Sequence, residues 1–288
     1  MSSLTLKPKK LYMKKIFLFV LCFAVLSAAE AQLKTPAPST TQTIKQEMGL
    51  GTVEISYSRP NMKGRKIFGD LVPFDKVWRT GANNATTLTF SDDVTIAGTK
   101  VPAGKYGLLS IPSASEWTLI LTKQLDVTSP AAYKMESDVV RVKAKPVIMP
   151  FSVETFTAMF ADIKDNGASL GLMWDKTYVE LPITTDVDSK VMKQIDNMLI
   201  KDGRPYFNAA VYYADNGKDM NQAMVWFDKA IEQNPKAFWI QYQKAKALAK
   251  QGKKADAMAA SIKSMELARE AKNDDYVALN ENLQKGLK

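Results

Sequence analysis

Residues 151–183 read FSVETFTAMFADIKDNGASLGLMWDKTYVELPI, and this stretch gives the clearest indication of the fold. Apolar and polar residues alternate on both sides of Asp165-Asn166-Gly167, which is the pattern of strands with one buried face. Asn-Gly between two such runs is a strong signal for a tight hairpin turn. The stretch therefore predicts an antiparallel hairpin, with strand runs at Phe151–Ala161, Ala168–Asp175 and Thr177–Ile183.

Shorter runs of the same kind precede this hairpin. In the first of them Val53, Ile55 and Tyr57 alternate with polar residues, and turn sequences rich in glycine and proline separate it from the others. The others are Thr86–Phe90, Val94–Ala97, Tyr106–Ile111, Trp117–Thr122 and Val139–Val142. About nine short strands at this spacing predict an antiparallel β-sandwich or jelly-roll-like domain, which we assign to residues 48–185.

The sequence changes character after Pro182. From residue 186 to residue 288 alanine, lysine, glutamine and methionine are abundant, and apolar residues recur at helical spacing, as at Phe207, Ala210, Val211 and Ala214. Residues 186–288 are therefore predicted to form a helical domain. The fold class that follows is α+β with the two kinds of structure segregated along the chain.

The helical segment contains an approximate repeat. The turns Asn216-Gly217-Lys218 and Gln251-Gly252-Lys253 lie 35 residues apart, and the first copy of the pattern Ala–x3–Phe–x2–Ala is followed by Pro235. Paired helices with this pattern resemble the tetratricopeptide repeat, although the second copy has Ser261 and Ser264 in place of Phe227 and Ala230. A plain helical bundle with a coincidental period is the alternative. Either structure presents a surface for a protein partner.

The first 31 residues have the design of a secretory signal peptide. Lysines at positions 7 to 15 precede the apolar run Ile16–Ala29, and Ala29-Glu30-Ala31 supplies a small-residue cleavage site. The apolar run of about 14 residues is short for a membrane-spanning helix, which needs about 20. A retained anchor and a lipoprotein are the alternatives, but Cys22 lacks the small residue usual before a lipidated cysteine.

We therefore expect an exported protein, periplasmic or secreted, with no membrane span after cleavage. Residues 32–47, which include Pro36 and Pro38, are predicted to be a flexible linker. Removal of residues 1–31 leaves 34 basic and 29 acidic residues, so the net charge of +9 falls to +5. Such a small surplus in an exported protein argues against a nucleic-acid partner.

The composition excludes most catalytic machinery that depends on imidazole or thiol groups. The chain has no histidine and one cysteine, Cys22, so Ser-His-Asp triads, Cys-His pairs and His- or Cys-ligated metal sites are excluded. We predict no catalytic residue, no metal site and no cofactor. An enzyme built from this chain would have to use carboxylates, lysine, tyrosine or an oxygen-ligated metal.

Long motifs follow the first strand run. They are SRPNMKGRKIFG at residues 58–69, LVPF at 71–74, VWRTGAN at 77–83 and VPAGKY at 101–106. Together they resemble the bacterial exported family known as domain of unknown function 2911, over roughly residues 45–185. The resemblance implies the β fold and the exported location, but no activity, because the family has none established. Members usually carry an acidic residue where this chain has Asn84.

The same motifs contain the candidate binding residues. Arginine side chains bind carboxylate or phosphate groups through paired hydrogen bonds, and asparagine supplies donors and acceptors. An anionic or glycan small ligand is therefore predicted to bind at Arg59, Lys63, Arg65, Arg79 and Asn83. The alternative is structural: these cations would pair with Asp70, Asp75, Asp92 and Asp93 and hold the loops in place.

Two classes of function remain open at this point. We favour a non-enzymatic binding or scaffolding protein with a helical tail for a protein partner. The rival is a periplasmic hydrolase or lyase, which would be recognised by a cleft where Asp75 or Asp93 faces Arg65 or Arg79. Trp78, Trp117 and Trp174 are predicted to pack in the core, and an exposed platform for stacking on sugars is the alternative.

Overall fold

The structure is a computed structural model that describes residues 35–201 and 205–288. The predicted signal peptide lies outside the described residues. The chain divides into two compact units. The first runs to Glu47 and takes in Gly51–Ile163 and Ala168–Ile183, and the second takes in Met48–Leu50, Lys164–Gly167 and Thr184–Lys288.

The first unit is built on two antiparallel sheets. The larger has the strand order β1-β2-β3-β6-β7-β8 and the smaller the order β5-β4-β10-β9. The strands are β1 Thr40–Met48, β2 Gly51–Arg59, β3 Thr86–Phe90, β4 Val94–Ile96, β5 Thr99–Val101, β6 Gly104–Ile111, β7 Trp117–Thr122, β8 Asp138–Ala144, β9 Val147–Lys164 and β10 Gly167–Thr184. The two-sheet antiparallel architecture predicted from the alternating runs is confirmed.

The pairing registers show why these residues form the core. Ile55 pairs with Leu88, and Leu88 pairs with Tyr106, so one face of three neighbouring strands is lined by large apolar side chains. Strand β7 is buried along its whole length. Its Ile120 belongs to a smaller cluster with Leu109 and Val127, in which Val127 comes from the loop after β7. That loop therefore covers the outer face of the larger sheet.

The hairpin predicted at Asn166-Gly167 is present, formed by the two 18-residue strands β9 and β10. The two runs predicted on either side of Lys176 are one continuous strand. Asp175, the last residue of the first run, has a φ of 50°. A non-glycine residue with positive φ is uncommon and bends the strand locally, which explains the break in the alternating pattern.

The predicted flexible linker differs from the structure from Thr40 onward. Residues 40–48 form edge strand β1, whose side chains contact those of β2. The Thr43 hydroxyl donates to Ser56 Oγ at 3.0 Å, and the Thr41 and Ser58 hydroxyls lie 3.3 Å apart. Sequence patterns missed this strand because its half-buried face carries Gln42 and Gln46 beside Ile44, so apolar and polar residues do not alternate.

The helical prediction for residues 186–288 is confirmed by six α-helices in the described part of the second unit. They are α1 Val187–Lys201, α2 Tyr206–Asp215, α3 Met220–Gln233, α4 Phe238–Lys250, α5 Lys254–Glu270 and α6 Asp274–Leu287. From α2 onward each helix packs on the next, and α4 also contacts α2 and α6. Among the described residues no helix has the length and apolar character needed to cross a membrane.

The core of the helical unit changes chemistry along the chain. Around α3 it is apolar, with Phe227 and Ala230 buried. At the corresponding places of α5, Ser261 and Ser264 bind the fully buried Asn280 of α6. Asn280 Nδ2 donates to Ser264 Oγ at 2.9 Å, and Ser261 Oγ donates to Asn280 Oδ1 at 2.9 Å. The serines that weaken the repeat are therefore the partners of a buried amide in the next helix.

Candidate functional site

The loop between β2 and β3 carries most of the residues of interest and is held at several points by main-chain hydrogen bonds. Phe156 N donates to Pro60 O at 2.9 Å, and Met62 N donates to Glu154 O at 2.8 Å. Further along, Trp78 and Ser110 exchange main-chain hydrogen bonds of 2.7 and 2.9 Å. The pairing of β3 with β6 starts at Thr86, which lies opposite Leu108. Trp78 then pairs with Ser110, two residues further along β6.

Trp78 joins an aromatic cluster in which each ring contacts others. Its indole stacks on Trp174 with centroids 5.8 Å apart and an interplanar angle of 17°. Edge contacts link it to Phe68, Trp117 and Phe156. Trp117 and Trp174 are buried, as predicted for core residues, whereas Trp78 is half-buried.

The backbone around Trp78 is strained. Lys63, Asp75, Thr80 and Asn83 all have φ between 49° and 59°. This conformation is costly for a β-branched residue such as Thr80. Thr80 is fully buried, and its hydroxyl donates to Ser110 Oγ at 3.0 Å. Hydrogen bonds to β6 therefore keep Thr80, and with it the neighbouring Arg79, in a set position.

A pocket of about 440 Å³ opens beside this segment, within the β unit. Two stretches of the loop and the turn after β7 form its walls, and Trp174 of β10 contributes to the lining. Most of the lining is apolar, including Leu71, Val77, Trp78, Val127 and Trp174. The charged residues that line it are Arg65, Lys76 and Arg79, and no acidic residue is among the described lining residues.

Arg79 is the most constrained of the three cations. Its Nη1 donates to the carbonyl oxygen of Thr128 in the loop after β7. Its Nε is buried and, within the described chain, has no hydrogen-bond partner. An unsatisfied buried donor on a charged group is expensive, because the lost hydration is not replaced.

Arg65 uses its guanidinium differently. Nε donates to Met62 O at 2.9 Å and Nη2 donates to Asn61 O at 2.7 Å. Both donors of that edge are thus occupied by carbonyl groups of its own loop. The side chain is exposed, so Arg65 places positive charge at the pocket and also closes the loop on itself.

The remaining predicted residues are not among those that line the pocket. Arg59 donates from Nε to Phe156 O at 3.2 Å and from Nη2 to Thr157 Oγ1 at 3.0 Å, which holds β2 to β9. Asn83 Nδ2 donates to Ser39 O at 3.1 Å. The amide N–H of Lys63 donates to the Glu154 carboxylate at 2.8 Å. The structure therefore brings Arg65 and Arg79 to one pocket, uses the side chains of Arg59 and Asn83 in structural contacts, and fixes Lys63 through its main chain.

The alternative of carboxylate pairs is wrong for the three arginines. In the part of the chain that the structure describes, Arg59, Arg65 and Arg79 bond to carbonyl or hydroxyl oxygens and not to carboxylates. Asp93 instead accepts from Ala103 N at 2.9 Å, and neither Asp75 nor Asp93 lines the pocket. Within residues 35–201 and 205–288 no group of three acidic or cysteine side chains is placed to hold a metal ion.

Sequence reasoning missed Lys76 and the turn at residues 127–130 as parts of this site. Lys76 lies three positions before Arg79, so its inclusion in the basic cluster was available from the sequence. The turn lies 49 positions from Arg79 along the chain, measured at Thr128, and no motif connects the two segments.

The family model described as "Protein of unknown function (DUF2911)" matches residues 39–183. The match spans half of the chain. The chain belongs to this family. The DUF2911 region contains the whole pocket, since every lining residue falls between Arg65 and Trp174. No curated protein and no solved structure matches the chain.

Proposed function

We propose that this protein is an exported binding protein whose β unit holds a small anionic ligand in the pocket lined by Arg65 and Arg79. The proposal rests on one observation: three cations and no acidic residue are among the described residues that line a mainly apolar pocket. Such a site attracts anions, and its walls limit the water that would weaken the attraction. A mainly apolar pocket with a few fixed polar groups is also the usual form of a small-molecule site.

The strained backbone supports the same proposal. Residues held in rare conformations concentrate at functional sites, where the surrounding structure maintains them. Thr80 adjoins Arg79, and Asp75 adjoins Lys76. Two of the three cations that line the pocket, Lys76 and Arg79, are therefore direct neighbours in sequence of a residue with positive φ.

Binding is favoured over hydrolysis because of what lines the pocket. The rival hydrolase or lyase is expected to have a cleft in which Asp75 or Asp93 faces an arginine and moves protons. Among the described residues that line this pocket none is acidic. The chemistry present there is suited to holding an anion rather than to cleaving a bond.

Thermal unfolding of residues 32–288 tests the proposal. The panel contains organic acids, sugars, peptidoglycan fragments, nucleotides and divalent cations. A ligand at about 100 times its dissociation constant adds about 2.7 kcal/mol of stability, which shifts the unfolding temperature visibly. We expect an anion to produce a shift that is lost in Arg79→Ala and kept in the control Lys143→Ala, whose exposed side chain pairs with Glu116 outside the pocket. No shift with any anion contradicts the proposal.

We further propose that the helical unit resembles tetratricopeptide repeats in use as well as in pattern, and binds a protein partner. Gly217 and Gly252 both have positive φ, 65° and 73°, so the glycine of each predicted turn adopts the left-handed conformation. On α4 the side chain of Trp239 is 37% exposed, which is unusual for tryptophan outside an interface. A genuine partner loses binding with Trp239→Ala and keeps it with the control Val225→Ala on α3, whose side chain is also exposed.

A further inference from the structure

The donors of Arg79 are only partly used. A guanidinium has five N–H groups, and Nε and Nη2 present two of them side by side along one edge. In Arg79 only Nη1 makes a hydrogen bond within the described chain, to Thr128 O. Nε is buried and has no partner there, so at least one donor on the side-on edge of this arginine is not satisfied by a protein group. In Arg65 the equivalent edge is filled by two carbonyl oxygens.

A side-on edge with an unsatisfied donor fits one chemical group best. The two oxygens of a carboxylate match the two parallel N–H bonds, and such pairs are roughly twice as strong as neutral hydrogen bonds. The hydrogen bond to Thr128 O keeps the guanidinium oriented before a ligand arrives. Preorganisation of this kind lowers the entropic cost of binding.

The rest of the pocket indicates what the carboxylate is attached to. Leu71, Val77, Val127, Trp78 and Trp174 supply apolar and aromatic surface. The lining offers two side-chain hydroxyls, Thr128 and Ser129. A sugar would leave many of its hydroxyl groups without partners there, which costs free energy for every group buried unpaired.

We propose that the pocket binds a small carboxylate with an apolar ring, its carboxylate on the Arg79 side-on edge and its ring against Trp78. The inference rests on the proposed function and narrows its ligand class from anions in general. A phosphate ester matches this edge less well, because the two parallel donors meet only two of its three terminal oxygens. Arg65 and Lys76 add the field that attracts the anion.

Calorimetric titration of the intact chain with four probes tests the inference. The probes are phenylacetate, its neutral analogue phenylacetamide, phenyl phosphate and glucuronate. We expect phenylacetate to bind, and phenylacetamide to bind at least about tenfold more weakly, because the loss of a charge-assisted pair corresponds to about that factor or more. We also expect phenylacetate to bind more tightly than phenyl phosphate and glucuronate.

Two variants locate the site. Arg79→Lys keeps the charge and removes the paired donors, so phenylacetate affinity should fall by about tenfold or more. The matched control is Arg269→Lys in the helical unit, whose side chain is 60% exposed, and it should leave affinity unchanged. If circular dichroism shows that Arg79→Lys does not fold, the comparison of phenylacetate with phenylacetamide on the unchanged chain decides.

The titrations distinguish failure of this inference from failure of the proposed anion-binding function. Equal affinity for phenylacetate and phenylacetamide overturns the carboxylate assignment, as does unchanged affinity in folded Arg79→Lys. Tighter binding of glucuronate or phenyl phosphate, lost in Arg79→Lys, overturns the ring-carboxylate class and leaves the anion-binding function standing. Absence of binding by every anion up to about 10 mM overturns both, because even a millimolar dissociation constant would be detected.

Discussion

The hydroxyl group of Tyr133, in the loop that covers the larger sheet, is held by two charged side chains that affect its pKa. Its hydroxyl donates to Asp138 Oδ2, and Arg141 Nη1 lies 2.8 Å from the hydroxyl oxygen and 2.9 Å from the same carboxylate oxygen. Burial, followed by the hydrogen bond and the charge of Asp138, raises the pKa of Tyr133 to about 12 against the opposing effect of Arg141. The neutral phenol is therefore the form that the folded protein favours.

This shift has a consequence for stability at alkaline pH. An unfolded tyrosine ionises near pH 10, so the contribution of Tyr133 is complete below about pH 10 and is lost as the pH rises toward 12. We expect Tyr133→Phe to reduce the fall in the free energy of unfolding of the β unit across this interval. Urea unfolding followed by circular dichroism at a series of pH values measures it. An unchanged pH dependence in the variant would contradict the assignment.

At the level of single residues, the sequence predicted part of the candidate site. Arg65 and Arg79 were identifiable because they lie in motifs of the family and because arginine is the residue that binds anions in pairs of bonds. Arg59 has the same chemistry, and only the structure shows that Phe156 O and Thr157 Oγ1 occupy it. Whether a guanidinium is free depends on contacts between distant segments, which residue type does not reveal.

At the scale of elements, the pairing of α5 with α6 depends on a small buried polar network. Asn280 is fully buried and bonds to Ser261, Ser264 and the carbonyl oxygen of Tyr276. Ser264 Oγ in turn donates to Phe238 O at 2.8 Å, which links the network to α4. Polar groups in such a place specify one register between helices, because any other register leaves them unpaired.

We expect Asn280→Ala to lower the free energy of unfolding of the helical unit by about 1–3 kcal/mol, because both serines lose a partner in a buried site. Chemical unfolding followed by helical circular dichroism measures the loss. The matched control is Asn282→Ala, an exposed position of the same helix, which should change stability little. A triple variant with Asn280→Leu, Ser261→Ala and Ser264→Ala leaves none of these three polar side chains buried, so it should be more stable than Asn280→Ala. If the single variant is as stable as the control, the network has no energetic role.

Elements with strong apolar alternation were predictable, and those without it were not. Strands β3 and β7 have the predicted bounds, since their buried faces are lined by leucine, isoleucine and aromatic residues. Strands β1 and β5 were missed. The first has glutamines on its half-buried face as well as polar side chains on its exposed face, and the second is three residues long. Short and polar strands are defined by their partners rather than by their own sequence.

At the scale of the whole molecule, the division into two units separates the two proposed roles. Every residue that lines the pocket belongs to the first unit, and helices α2–α6 belong to the second. A domain with its own core can fold without its neighbour. The ligand site should therefore not require the helices.

We expect a fragment of residues 32–185 to bind phenylacetate with an affinity within about threefold of the intact chain, because it keeps the core and the whole pocket. Calorimetric titration of both proteins gives the comparison, and Arg79→Lys in the fragment is the control for binding at the same site. A fragment that folds, as judged by cooperative unfolding, and does not bind would show that the helices are needed for the site.

The stacked pair of Trp78 and Trp174 gives the protein an optical property of its own. Two indoles 5.8 Å apart and 17° from parallel are close enough for their excited states to couple. Both rings also line the pocket, so an occupant changes the surroundings of both chromophores at once. Occupancy could then be read from the near-ultraviolet dichroism and emission of the unlabelled chain, with Trp78→Phe separating this signal from those of the other tryptophans.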